Sequence, residues 1–108
     1  MEQIKLIEKH GPNYALLEVS GTINSYTISE FQTKVYSLVK ETNLVLDMSQ
    51  VTNLTSSGIG VLLAAYNDAE AAGNKLYIMK PTELVRLAIE ATGFAQFFMI
   101  IHSLTEVL

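Results

Sequence analysis

The stretch Asn43-Leu44-Val45-Leu46-Asp47-Met48-Ser49-Gln50-Val51-Thr52-Asn53-Leu54-Thr55-Ser56-Ser57-Gly58-Ile59-Gly60-Val61-Leu62 starts as one kind of element and ends as another. Leu44, Val45 and Leu46 stand in succession without a polar alternate, which is how a strand reads when both of its faces are covered in a parallel sheet. From Ile59 to Ala72 the chain is apolar and alanine-rich and stops at Gly73, a helix with a glycine stop. Lys75 to Met79 then repeats the buried-strand character. A strand, a helix and a strand in this order form a crossover unit, whose right-handed geometry makes the two strands parallel and lays the helix on one face of the sheet. Helical spacing puts Ile59, Leu62, Leu63 and Tyr66 on the face packed against the two strands. The first strand of this unit is expected to be central in the sheet and to end near Met48.

Outward from this unit, Gln3 to Glu8 alternates as a strand and Gly11-Pro12-Asn13 carries turn chemistry. Tyr14 to Val19 makes a second strand, antiparallel to the first, that ends at Ser20-Gly21. Ile28, Phe31, Val35, Leu38 and Val39 recur at helical spacing, predicting a helix over roughly Thr27 to Lys40. Ser25 or Thr27 serves as its cap, and Glu30 lies three residues beyond Thr27, as a capping box requires. After Pro81, Thr82 caps a third helix carrying Leu84, Val85, Leu87, Ala88 and Ala91 and stopped by Gly93. Phe97 to Ile101 reads as a last short strand, and Ser103 to Leu108 as the first turn or two of a final helix.

Composition narrows the function. With 108 residues, 49% of them hydrophobic, the chain is expected to be one domain, residues 1–108, with a real core. There is no cysteine, so disulfides and thiolate metal sites are excluded. The first nine residues lack the basic start and apolar run of a secretory signal, and the cytoplasm is the expected location. No apolar stretch approaches the roughly 20 residues needed to cross a bilayer, so membrane insertion is not expected. A net charge of −4 with scattered Lys and Arg gives no basic stripe, so direct nucleic-acid binding is not expected either.

A hydrolase would need a base near its nucleophile, and the histidines are only His10 and His102, with no Gly-x-Ser-x-Gly sequence. Gly58 and Gly60 stand at a helix start without a Gly-x-Gly-x-x-Gly pattern or a Walker lysine, so no nucleotide site follows. Asp68 and Glu70 read as solvent-facing helix charges rather than cation ligands. Neither an enzyme nor a cofactor is expected, and the expected state is a monomer or weak dimer.

The hydroxyl-rich segment from Gln50 to Ser57 is read as a loop leaving the carboxyl end of the central strand, where open α/β sheets commonly place their sites. Backbone amides of Ser57, Gly58 and Ile59 have no intrahelical acceptor there and favour a hydroxyl oxygen or an anion. Two physical readings stay open. Ser56 or Thr55 is an N-cap worth about 1 kcal/mol, with the glycines permitting close packing. Otherwise Ser56 is an exposed serine whose phosphate would meet free amides and project new charge.

In residue order, Asp47-Met48-Ser49-Gln50-Val51-Thr52-Asn53-Leu54-Thr55-Ser56-Ser57-Gly58-Ile59-Gly60-Val61-Leu62 resembles the signature of the STAS domain, found in bacterial anti-sigma factor antagonists. The two opening strands, Gly21-Thr22-Ile23, Gly73-Asn74-Lys75-Leu76 and the segment from Leu87 to Phe98 are similar to further landmarks of that family. The resemblance implies a single α/β STAS-like domain with a mixed four- to five-stranded sheet and helices packed mainly on one face. It also implies partner switching: the dephosphorylated form binds an anti-sigma factor that is a serine kinase and releases a sigma factor, and phosphorylation reverses this. By position the phosphoacceptor is Ser56, followed by Ser57 and by Gly58 at the glycine position, and Asp47 matches the aspartate that ends the central strand. The expected partner surface comprises Thr22, Asn24, Ser25, Asn53, Thr55, Ser56, Ser57, Gly58 and Ile59.

In one position the chain departs from the family. Kinase substrates of this kind commonly carry aspartate before the phosphoacceptor, and this sequence has Thr55. The alternative function is therefore a constitutive STAS subunit of a transporter-associated or lipid-trafficking complex.

Overall fold

A computed structural model describes residues 3–107; Met1, Glu2 and Leu108 lie outside the described residues. Along the chain come β1 (Ile4–His10), β2 (Tyr14–Ile23), α1 (Ile28–Glu41), β3 (Asn43–Leu54), α2 (Ser56–Ala72), β4 (Leu76–Met79), α3 (Glu83–Ala91) and β5 (Met99–Ile101). The five strands form one sheet in the order β1-β2-β3-β4-β5, so β3 is central as expected. Only the β1–β2 pair, joined by the Gly11-Pro12-Asn13 turn, is antiparallel; β2–β3, β3–β4 and β4–β5 are parallel. The sheet is therefore mixed.

Both faces of β3 are covered, which accounts for its unbroken apolar run. On one face Leu44, Leu46 and Met48 join Leu17, Val19 and Ile23 of β2 and Leu76 and Ile78 of β4, under all three helices. Phe31, Val35, Leu38 and Val39 of α1 seal that core together with Val85 and Ile89 of α3. The opposite face carries Val45, with Leu16, Tyr77, Met79 and Ile101, covered by Leu104 and Val107 from the C-terminal segment. On α2 the buried stripe is Gly58, Val61, Leu62, Ala65 and Ala69. Of the expected stripe, Leu62 is fully buried, whereas Ile59, Leu63 and Tyr66 are half-buried on the helix flank. Since α2 is apolar nearly all round, spacing alone does not show which of its apolar rows faces the sheet.

Two strands run longer than the sequence predicts. β2 continues from Val19 to Ile23, and β3 continues from Met48 to Leu54, in register with each other as far as Ile23 and Leu54. The residues expected as a loop, from Gln50 to Leu54, are thus strand. The register shifts between Glu18 and Ser20 and again between Gly21 and Thr22, β3 carrying the extra residue each time. Such bulges break the two-residue alternation by which strands are recognised. Between them Gly21 has φ 100°, and a Cβ there would lie 2.4 Å from the carbonyl oxygen of Gln3, the residue before β1, so glycine is required.

The final helix is also shorter than expected. Ser103 to Val107 form one 3₁₀ turn, Leu104–Glu106, closed by the Glu106 carboxylate, which accepts from the amides of His102 (2.7 Å) and Ser103 (3.0 Å). Those two bonds hold its carboxyl below the usual carboxylate range. Leu104 and Val107 are three residues apart, so a single turn suffices to set both onto the sheet.

Candidate functional site

β3 passes into α2 through one residue, Thr55. Its amide and its hydroxyl both donate to the Ile23 carbonyl, at 3.0 and 3.3 Å, which ties the start of α2 to the end of β2. Thr55 is the N-cap residue, but its hydroxyl faces back to Ile23 and makes no side-chain cap. The first-turn amides of α2 therefore keep their affinity for an oxygen or an anion. Ser56 and Ser57 are the first two helical residues and both are exposed. Gly58, next in line, is buried: a Cβ would come within 2.4 Å of Leu54 Cδ1 and 2.8 Å of Ile23 Cγ2.

Beside this helix start lies the turn from β2 to α1. Asn24 is buried, and its Oδ1 accepts from the amides of Tyr26 (2.8 Å) and Thr27 (3.2 Å). The Thr27 hydroxyl donates to the Thr22 carbonyl at 2.7 Å and accepts from the Asn24 amide at 3.0 Å. Thr27 is the N-cap residue of α1, yet with its hydroxyl so engaged it makes no side-chain cap, and the predicted pairing with Glu30 does not form. Ser25 and Tyr26 are left on the outside of the turn, both exposed. The hydroxyls of Thr22 and Thr52 meet at 3.4 Å between β2 and β3, and Asn53 follows, exposed.

The structure thus brings Thr22, Ser25, Asn53, Thr55, Ser56 and Ser57 to one end of the β2–β3 pair, with Ile59 half-buried on the flank of α2. Asn24 and Gly58, also expected in the partner surface, are both buried. Asn24 uses its side chain to fold the turn, and Gly58 lets the helix sit on Leu54 and Ile23.

Asp47 lies apart from Ser56, on the sheet face shared with Val45, where its Oδ1 accepts from the amide (3.0 Å) and hydroxyl (2.7 Å) of Ser49. Among the described residues no group of acidic and histidine side chains is arranged to hold a metal ion. Sequence reasoning passed over Tyr26, 85% exposed within the rim. The signal was present: an aromatic residue off the helical spacing of Ile28, Phe31 and Val35, inside an Asn-Ser-Tyr-Thr turn.

A model of the STAS domain matches residues 4–107. The chain belongs to the STAS domain family. Its fold is similar to that of an anti-sigma factor antagonist from Mycobacterium paratuberculosis, with a TM-score of 0.84 and 23% identity over 96% of this chain and 90% of that one. The unphosphorylated form of the anti-sigma factor antagonist SpoIIAA gives a TM-score of 0.78 at 14% identity, covering 94% of this chain and 91% of that one. The phosphorylated form of the Bacillus cell fate determinant SpoIIAA gives 0.74 at 14% identity, covering 94% and 95%. At such identities the likeness is one of fold. No helix among the described residues of this STAS domain is long and apolar enough to cross a membrane.

Proposed function

We propose that this STAS domain is a cytoplasmic anti-sigma factor antagonist: unphosphorylated, it binds an anti-sigma factor serine kinase and frees a sigma factor, and phosphorylation of Ser56 reverses the binding. One observation carries the reading. Of the three consecutive hydroxyls at the start of α2, Thr55 is tethered to the Ile23 carbonyl, while Ser56 is the exposed first residue of an uncapped helix. Two forms of one similar fold, the unphosphorylated and phosphorylated SpoIIAA, support a phosphate-dependent role.

The phosphate would be tolerated by the domain and rejected by the interface. Phosphoserine carries about −1.5 to −2 charges at neutral pH, and helix amides stabilise such a group by ~0.3–1 kcal/mol. An unpaired charge buried against a partner costs ~3–5 kcal/mol, a hundredfold to several-thousandfold loss of affinity at about 1.4 kcal/mol per decade.

Wild type and Ser56→Ala incubated with the purified kinase and ATP, followed by fragmentation mapping and calorimetry, test the switch. Phosphate is expected on Ser56 with loss of binding, and Ser56→Ala stays bound. Phosphate on Ser57 alone, or a tight phosphorylated complex, would overturn it. Thr55 in place of aspartate favours one second reading, a constitutive subunit beside a transporter or lipid-trafficking ATPase. Recovery of such an ATPase with the native chain, and of no serine kinase, would favour that reading.

A further inference from the structure

From residue 19 to residue 29, and again from residue 48 to residue 67, the chain contains no Asp, Glu, Lys, Arg or His. These two stretches include the whole rim, from Thr22 to Thr27 on one side and from Asn53 to Ile59 on the other. They are held together by the bonds of Thr55 to Ile23 and of Thr22 to Thr52. An uncharged rim gives little attraction to a charged patch, which would lose its water without gaining a counter-charge.

Within this rim a single large side chain stands out. Tyr26 is 85% exposed, whereas the other exposed large apolar residues among those described lie between 38% and 51%. Its backbone is not loose: the Tyr26 amide is fixed to Asn24 Oδ1, and Thr27 beyond it is bonded to Thr22 and Asn24. A tyrosine on a pre-formed turn loses little backbone entropy when it is buried, and tyrosine is among the residues that dominate protein interfaces.

We infer that Tyr26 is the specificity-determining anchor of the Ser56 surface, inserting into an uncharged, apolar-walled pocket on the kinase partner. The inference rests on the anti-sigma reading above. Binding then depends on the aromatic ring and on close fit, with little dependence on salt. Phosphate on Ser56 would place about −1.5 to −2 charges among these uncharged residues.

The test uses the anti-sigma factor serine kinases encoded in the same genome, each purified and titrated calorimetrically against the full chain. Tyr26→Ala should weaken binding tenfold or more, the size of an interface hot spot, while Tyr26→Phe stays within about threefold. Thermal melting should be unchanged in both, since the side chain is exposed. Raising salt from about 50 to 500 mM should change wild-type affinity by less than about threefold, because exposed charge pairs are what such salt screens. Ser57→Arg distinguishes the two levels of failure. If Ser57→Arg weakens binding and Tyr26→Ala does not, the anchor is overturned and the anti-sigma reading stands. A strong fall of affinity with salt overturns the uncharged contact. If no kinase binds the wild type, the reading itself fails and the anchor with it.

Discussion

Two helices of this domain begin in the same way on paper and differently in space. α2 starts after Thr55 and α3 after Thr82, each an N-cap threonine in extended conformation. Thr82 accepts from the Val85 amide at 3.4 Å and donates to the Val51 carbonyl at 3.1 Å, so it caps its own helix while tying it to β3. Thr55 spends its hydroxyl on Ile23 alone and leaves the first turn of α2 without a cap. The third helical residue differs to match. At α3 it is Val85, fully buried; at α2 it is Gly58, pressed against Leu54 and Ile23. The α3 start is built to close, whereas the α2 start is brought close to the sheet and left open to what approaches it, as the proposed phosphate switch requires.

The largest effects should come from exchanging the packing at these third positions. Gly58→Val forces branched methyls into space already held by Leu54 and Ile23 and should cost about 1–3 kcal/mol by overpacking. Val85→Ala removes two methyl groups from a sealed site and should cost about 1.5–3 kcal/mol by lost burial and the void left behind. Urea denaturation with an unchanged slope would measure both. A stable Gly58→Val would mean that α2 lifts from the sheet at little cost, and that the close approach is not what positions Ser56.

Smaller effects should separate the two threonines. Thr82→Ala removes a cap and a tie to β3 and should cost about 1 kcal/mol. Thr55→Ala should cost only about 0.5 kcal/mol, because the Ile23 carbonyl still accepts from the Thr55 amide and no group is left unpaired. The two variants compared in one denaturation series break the comparison if their losses are equal.

The same contrast explains what was legible in the sequence. Thr82 could be read as a cap because a proline before it and an amphipathic run after it leave the hydroxyl one obvious use. Thr27 and Thr55 have equally good local signals, but their hydroxyls answer carbonyls of β2, Thr22 and Ile23, and a bond from a cap residue back to a strand is invisible in a pattern that reads forward into the helix. The central strand and the crossover were legible from Leu44-Val45-Leu46 and Ile59 to Ala72, since burial on two faces and helix length need no alternation. The ends of β2 and β3 were not, because bulges break the alternation and the residues there are hydroxyl-rich. At the site, Ser56 and Ser57 stand exposed where the order of residues put them. Asn24 and Gly58 look like rim residues until the turn and the helix contact show what they hold.

The finest test replaces Thr55 by the carboxylate absent from this position. Thr55→Asp loses the hydroxyl bond to Ile23 and places an acceptor where the first-turn amides of α2 are uncapped. Capping by a carboxylate and its attraction to the helix dipole together should outweigh that bond by about 0.5 kcal/mol, roughly 2–4 °C in melting temperature for a domain of this size. The sign with pH follows from the bonding. An aspartate that accepts helix amides has a folded pKa below its unfolded value of about 3.9. Its stabilisation is full above that value and disappears as pH falls through the folded one. Melting at pH 7 and near pH 3, at low and high salt, should show the gain only at pH 7 and mainly at low salt. Thr82→Asp supplies the control: α3 is already capped, so exchange there forfeits the donor to Val51 and should lower stability. If Thr55→Asp is less stable than Thr55→Ala at pH 7, a carboxylate finds no favourable place at the start of α2. A phosphate on Ser56 would then have to be tolerated by solvent alone, without help from the helix.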